Sequence, residues 1–296
     1  MRAGIIINPI AGSGYRGRTD ARVELARDVL QRCSIDGDVF VTTRRGHARE
    51  LSRSCVDREV DTVVAWGGDG TVNEVASEVA FHGPALGVVP GGSGNGLARE
   101  LGLPQRDPTQ ALMTALRGEP RRIDAGELGG RLFFNVAGVG LDAHLAEVFN
   151  SRASRGMRGY VVSTVRELLT YEPSYYILRA SDVAVSQTAL IVALANTRQY
   201  GANMQIAPLA RPDDGLLELV VLPPLRPLAA LWHARHLLTG TVHQVPGVTM
   251  QSVRAVDIAS DALPCFHVDG EVFPGRDTLS AKVHPGALRV RSGPGP

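Results

Sequence analysis

Three times within its first 95 residues the chain runs from a short apolar stretch into a glycine-rich loop. Ala3 to Ile7 leads into Asn8-Pro9-Ile10-Ala11-Gly12-Ser13-Gly14. Asp61 to Trp66 leads into Gly67-Gly68-Asp69-Gly70-Thr71, and Leu86 to Val89 leads into Pro90-Gly91-Gly92-Ser93-Gly94-Asn95. A further strand is predicted at Asp38 to Thr42. Helical spacing is predicted over 19–33 (Val23, Leu25, Ala26, Val29, Leu30), 46–55 and 71–80 (Val72, Val75, Ala76, Val79). Strand and helix in alternation predict an α/β domain with a parallel sheet. In such a sheet the loops after the strands gather on one edge.

Beyond Arg121 the pattern changes to short β-rich runs: Arg131 to Ala137, Tyr175 to Ala180, Ala189 to Ala195, Leu216 to Leu222, Val253 to Ala259 and Cys265 to Val268. These predict an antiparallel sandwich or barrel, interrupted by helices over 157–170 and 225–238. The expected architecture is an α/β domain over 1–122 and a C-terminal antiparallel β-sandwich domain over 123–285.

Composition narrows the chemistry. With 44% hydrophobic and 21% charged residues the chain is expected to pack. A net charge of +1 supplies no general field for nucleic acid. The only lysine is Lys282, so no glycine loop is followed by the Lys of a P-loop. Cys33, Cys55 and Cys265 form no C-x-x-C pair, which fits a reducing cytosol. Asn8-Pro9 cuts the first apolar run short, so no signal peptide is expected. Ala189 to Ala195 falls well below the ~20 residues of a membrane span, so membrane contact is expected to be peripheral.

Glycine lets backbone N–H groups approach phosphate oxygens, and helix N-termini add partial positive charge. Tight turns alone explain single glycine loops. They do not explain Asp69 between glycines, followed by Thr71, Asn73 and Glu74. Asp69 repels phosphate, so it is expected to reach Mg²⁺, an arginine or nucleotide hydroxyls. Gly12-x-Gly14-x-x-Gly17 mimics a dinucleotide fingerprint, but Pro9 sits inside the turn and the acid expected near the end of the second strand is missing. Late in the chain, Asp269-Gly270-Glu271 reads as a base with its partner or as a type I turn with solvated carboxylates. Asp213-Asp214-Gly215 reads as a turn or as ligands for a hard cation.

In order along the chain these motifs resemble the diacylglycerol kinase catalytic-domain family, which includes sphingosine and ceramide kinases. The resemblance rests on Asn8-Pro9 with Gly12-x-Gly14, Thr42 before Gly46-His47-Ala48, and Gly67 to Thr71 with Asn73-Glu74. It continues through Pro90 to Asn95, Phe134-Asn135 with Gly138, Gly140, Asp142 and Ala143, Asp214-Gly215-Leu216-Leu217, and Asp269-Gly270-Glu271. It implies ATP and a membrane lipid as substrates meeting between the two domains, with the last segment, 286–296, returning to the first.

By the same resemblance Thr42, Gly68, Asp69, Gly70, Thr71, Val72, Asn73, Glu74 and Ser93 contact ATP, supported by Asn8, Gly12, Gly14, Gly92 and Asn95. Glu271 is implied as proton acceptor. Asp214 and the carbonyls of Arg211 and Leu216 are implied as Mg²⁺ ligands. Many bacterial members have Thr at Ser93 and Asp at Gly96; the form here is closer to sphingosine kinases, which leaves the lipid open.

The expected reaction is in-line attack of a lipid hydroxyl on the γ-phosphate. Asp69 is placed on the Mg²⁺ side, Asp269 orients Glu271, and Arg16, Arg18 or Arg99 offsets charge. Arg99 is favoured because it opens the helix after the third loop. The helix over 157–170, with Arg155, Arg158 and Arg166, is the expected membrane-facing element. That places the protein in the cytoplasm, peripheral at the inner membrane face, with a homodimer left open. An NAD kinase-like enzyme and a non-catalytic lipid or nucleotide binder are the alternatives.

Overall fold

The computed structural model describes residues 1–12, 19–151, 167, 168, 170–180, 183–260 and 264–293. Gly14, Arg16 and Arg18 lie outside them, as does nearly all of the helix expected over 157–170. The chain divides into two compact units. One comprises Met1–Ala125 and Pro285–Pro296, the other Gly126–His284.

In the first unit, β1 (Arg2–Ile7), β2 (Asp36–Val41), β3 (Thr62–Gly67) and β4 (Ala85–Pro90) form a parallel sheet in the order β2-β1-β3-β4. Strands β1, β3 and β4 are apolar along nearly their whole length, as strands covered on both faces must be. α1 (Thr19–Arg32) and α5 (Pro108–Arg117) pack on one face around Ile5, Ile7, Val64, Val89, Leu112 and Leu116. The remaining helices are α2 (His47–Asp57), α3 (Asp69–Val79) and α4 (Gly96–Glu100). β5 (Glu119–Leu128) carries the chain out of this unit.

The sequence reading missed α5, although Asp107 caps it by accepting the Gln110 N–H and Pro108 occupies its first turn. That is a local start signal.

The second unit holds β6 (Arg131–Phe133), β7 (Val136–Gly140), β8 (Ser174–Ala180), β9 (Val183–Ala189), β10 (Ile191–Ala195), β11 (Gln199–Gly201) and β12 (Met204–Gln205). Then follow β13 (Leu217–Leu222), β14 (Thr249–Val253), β15 (Ala255–Ala259), β16 (Cys265–Val268), β17 (Glu271–Pro274) and the first part of β18 (Thr278–Ser292), whose remainder belongs to the first unit. One antiparallel sheet runs β14-β13-β10-β7-β16-β17. In a second layer β15 lies between β8 and the first part of β18, and β9 pairs with β8. Val139, Val192, Leu194, Leu219, Ile258 and Phe266 belong to one buried cluster. Alternate residues of the six-stranded sheet, including Val136, Ala193 and Val220, join a second cluster with Ile206 and Val242. Both side-chain sets of these strands are therefore apolar.

Three sequence expectations are corrected. The strand expected over 131–137 is broken at Phe134-Asn135. The helix expected over 225–238 is two helices, α7 (Pro227–His233) and α8 (Arg235–Thr239), meeting at Ala234, whose carbonyl takes a tight three-residue bond from Leu237 N–H. The segment expected over 286–296 is the end of a longer strand, β18, that begins at Thr278. Its second part turns parallel to β4, with Val290 opposite Leu86. α6 (Leu141–Ser151) was not anticipated.

Candidate active site

In the first unit the strand order reverses between β1 and β3, the position where open α/β sheets bind ligands at the strand C-termini. The three glycine loops leave from there and are bonded to one another. Asn8 Nδ2 donates to Thr71 Oγ1 at 2.9 Å, joining the first loop to the second. Gly91 N–H donates to the Gly67 carbonyl at 2.8 Å, joining the second to the third.

Asp69 completes the link. Its Oδ2 accepts the Asn95 N–H at 2.9 Å and its Oδ1 the Gly96 N–H at 2.7 Å. Where the sequence suggested a metal-side acid, both carboxylate oxygens are engaged by backbone amides. Burial pushes its pKa up, opposed by the Gly96 and Asn95 amides and by the charge of Arg99.

The third loop is also braced from within. Asn95, at φ 51°, accepts the Gly92 N–H at 2.9 Å and returns a bond to the Gly92 carbonyl at 3.0 Å. Arg99 Nε donates to the Gly94 carbonyl at 3.0 Å, so this arginine supports the loop. Ser93 stands exposed at its tip.

Other expected nucleotide residues also act as supports. Thr42 N–H bonds the Ile7 carbonyl at 2.9 Å, and Glu74 accepts the Gly46 N–H at 3.0 Å. Val72 and Asn73 are buried, with Asn73 Oδ1 accepting from Ser77 at 3.4 Å. Gly12 takes φ 83°, which a side chain disfavours.

Sequence reasoning missed Arg22. It lies on the buried face of α1 and donates to the carbonyls of Asn8 and Ala11, both at 2.8 Å, holding the first loop from beneath. The available signal was a charge at helical spacing with Ala26 and Val29.

The glycines separate by what a side chain would meet. A Cβ on Gly92 would come within 2.8 Å of Gly68 Cα, and one on Gly94 within 2.6 Å of Asp69 Oδ2. These glycines are required by loop-on-loop packing. Among the described residues a Cβ on Gly70 would meet no atom within 4 Å, although the residue lies in the first turn of α3.

In the second unit, Asp269 and Gly270 have φ 48° and 81°, and Val268 pairs with Glu271 across them. This is a two-residue hairpin of type I′, not the type I turn considered above. Asp269 itself is half-buried. It accepts the N–H groups of Phe134 and Asn135 at 2.9 Å and of Val136 at 3.2 Å. That clasp breaks the strand at Phe134-Asn135, and buried Asn196 and Thr197 bond the same segment. Glu271 follows, half-buried, at the start of β17.

Beneath the hairpin lies a network that the sequence did not reveal. Gly270 N–H approaches His267 Nδ1 at 3.4 Å, which leaves the ring proton on Nε2, and Nε2 meets Asp142 Oδ2 at 3.1 Å. Tyr200 OH donates to the same oxygen at 3.1 Å.

Asp214 is exposed, its Oδ1 accepting Leu216 N–H at 3.0 Å, while Asp213 pairs with Arg211 at 3.4 Å. Among the described residues no three His, Cys, Asp or Glu gather as a metal site. A cation here would rest on the Asp214 carboxylate and the Arg211 and Leu216 carbonyls. These are hard oxygen donors on one turn, and their chemistry fits Mg²⁺.

Comparisons with known proteins bear on the family and the fold. Residues 2–128 match the family model described as diacylglycerol kinase catalytic domain. Residues 135–292 match the YegS C-terminal NAD kinase beta sandwich-like domain. A Chromohalobacter salexigens protein named "Probable lipid kinase YegS-like" is 34% identical over 84% of this chain and 82% of its own. A Bacillus subtilis "Diacylglycerol kinase" is 31% identical over 75% of this chain and 73% of its own. The crystal structure of a diacylglycerol kinase from Bacillus anthracis str. Sterne superposes with TM-score 0.78, covering 99% of this chain and 97% of its own at 22% identity, a likeness of fold. The chain belongs to the diacylglycerol kinase catalytic-domain family, phosphotransferases with an alcohol group as acceptor, and carries the YegS type of C-terminal domain.

Proposed function

We propose that the chain transfers the γ-phosphate of ATP to a hydroxyl group of a lipid. Gly70 carries this reading. Glycine in a helical turn is about 0.5–1 kcal/mol less favourable than alanine, yet among the described residues no neighbouring atom calls for it. A ligand that comes up to the backbone does. The site is the N-terminus of α3, where amide N–H groups and the helix dipole favour an anion. The bonded loops around it suit a polyphosphate.

In this reading the first unit binds and orients ATP through the amides of Gly68 to Thr71 and the loop of Ser93. Asp69, Asn95, Arg22 and Arg99 keep those loops in register. Preorganisation of this kind supplies most of what phosphoryl transfer asks of a protein. Glu271 takes the proton of the attacking hydroxyl, and Asp269 sets its place by fixing the hairpin. Asp214, with the carbonyls of Arg211 and Leu216, would hold Mg²⁺, whose chemistry is charge neutralisation and ordering of nearby oxygens. The protein works at the inner face of the cytoplasmic membrane, where its acceptor resides.

The test is radiolabelled ATP with a total lipid extract, followed by identification of the labelled product, with NAD in a parallel reaction. A phosphorylated lipid is expected. Label in NAD and in no lipid would overturn the assignment.

A further inference from the structure

The short helices α7 and α8 present an apolar surface outward. Leu228 is 81% exposed, Trp232 66%, Leu238 65% and Leu231 38%. The opposite side is anchored: Ala230 and His236 are buried, and Leu237 packs against the cluster around Ile206 and Val242. The exposed set is therefore not the residue of a failed core.

Its charge is one-sided. Between Glu218 and Asp257 the chain has no acidic residue, while Arg226 and Arg235 lie exposed on this segment. The Arg235 guanidinium sits 4.0 Å from the centre of the Trp232 ring, which keeps a cation at the edge of the apolar patch. Burial and the charge of Arg235 hold the pKa of His236 down.

Leucine and tryptophan outward, arginine at the rim and no carboxylate across the whole segment match the interface of an anionic bilayer. We propose that residues 226–239 are a membrane-docking surface for anionic phospholipid bilayers, with Trp232, Leu228, Leu231 and Leu238 entering the headgroup region and Arg226 and Arg235 meeting the phosphates. This deepens the lipid-kinase reading by naming how the enzyme reaches its acceptor, and assigns docking to a different element from the helix expected over 157–170.

The protein itself contains the probe. Of its two tryptophans, Trp66 is buried and Trp232 exposed. Vesicles of phosphatidylcholine with phosphatidylglycerol are expected to shift the emission to the blue, and Trp232→Phe to abolish that shift. Flotation should show preference for these vesicles over pure phosphatidylcholine. Leu228→Ser with Trp232→Ser should weaken partitioning at least about tenfold. Arg226→Glu with Arg235→Glu should weaken it about tenfold or more at low salt and less at high salt.

Equal partitioning to both vesicle types, or none lost in either double variant, overturns the proposal. So does concentration-dependent self-association that the Leu228/Trp232 variant removes, because the face would then join two copies. Turnover of a detergent-dispersed short-chain lipid should survive the Leu228/Trp232 change, while turnover of vesicle-borne lipid falls. Dispersed-lipid turnover without vesicle binding sinks the docking surface and leaves the kinase reading; vesicle binding with no lipid phosphorylated in either form does the reverse.

Discussion

Asp69 and Asp269 use a carboxylate alike. Each accepts backbone N–H groups from a segment far away in the chain, two for Asp69 and three for Asp269. Neither task is written in the residue's own neighbourhood, so a sequence reading assigns both to chemistry. Replacing Asp69 by Asn should leave one amide facing an NH₂ group, a loss of about 1–3 kcal/mol, and weaken ATP binding at least tenfold; urea unfolding and ATP titration measure the two.

The pH behaviour follows from the raised pKa of Asp69. The folded state holds this proton more tightly than the unfolded state, so stability falls as pH rises from the ordinary aspartate range through the folded value. Asp69→Asn should remove that decline, seen as a flatter dependence of unfolding free energy on pH through mildly acidic conditions. For Glu271, Gln should abolish transfer with ATP binding and thermal unfolding unchanged. Lost ATP binding would show the role misassigned.

At the scale of elements, the parallel sheet and its glycine loops were legible because each signal is local: an apolar run, a turn residue, a helical period. The same locality explains the misses. The break at Phe134-Asn135 is imposed by Asp269, and the bonding of Asp142, His267 and Tyr200 joins three separate segments. The glycines permit a test of what is loop packing and what is ligand approach. Gly92→Ala should push the second and third loops apart and lower both stability and ATP affinity. Gly70→Ala should raise stability by about 0.5–1 kcal/mol through helix propensity and still lower ATP affinity at least tenfold. If Gly70→Ala binds ATP as tightly as the parent, the N-terminus of α3 is not where the phosphates lie.

For the whole molecule, the change from βα alternation to short strands was visible in the sequence because the hydrophobic period itself changes. That the first unit is discontinuous has no local signal in the sequence and was implied only by the family resemblance. Leu288 and Val290 are fully buried, Val290 stands beside Leu86, and Arg291 donates to Thr62 and to the Gly118 carbonyl. Removing residues 285–296 should abolish cooperative unfolding of the first unit, while near-ultraviolet circular dichroism from the tyrosines of the second unit, residues 126–284, persists.

That strand also sets an order of events during synthesis. Residues 1–125 leave the ribosome early but lack one edge of their sheet, and 126–284 must be translated before 285–296 supply it. The glycine loops therefore sit on a frame that closes last, although its sequence comes first. Translation that stops before 285–296 releases a chain whose loops have no finished sheet behind them, and on the proposed reading such a chain should transfer no phosphoryl group.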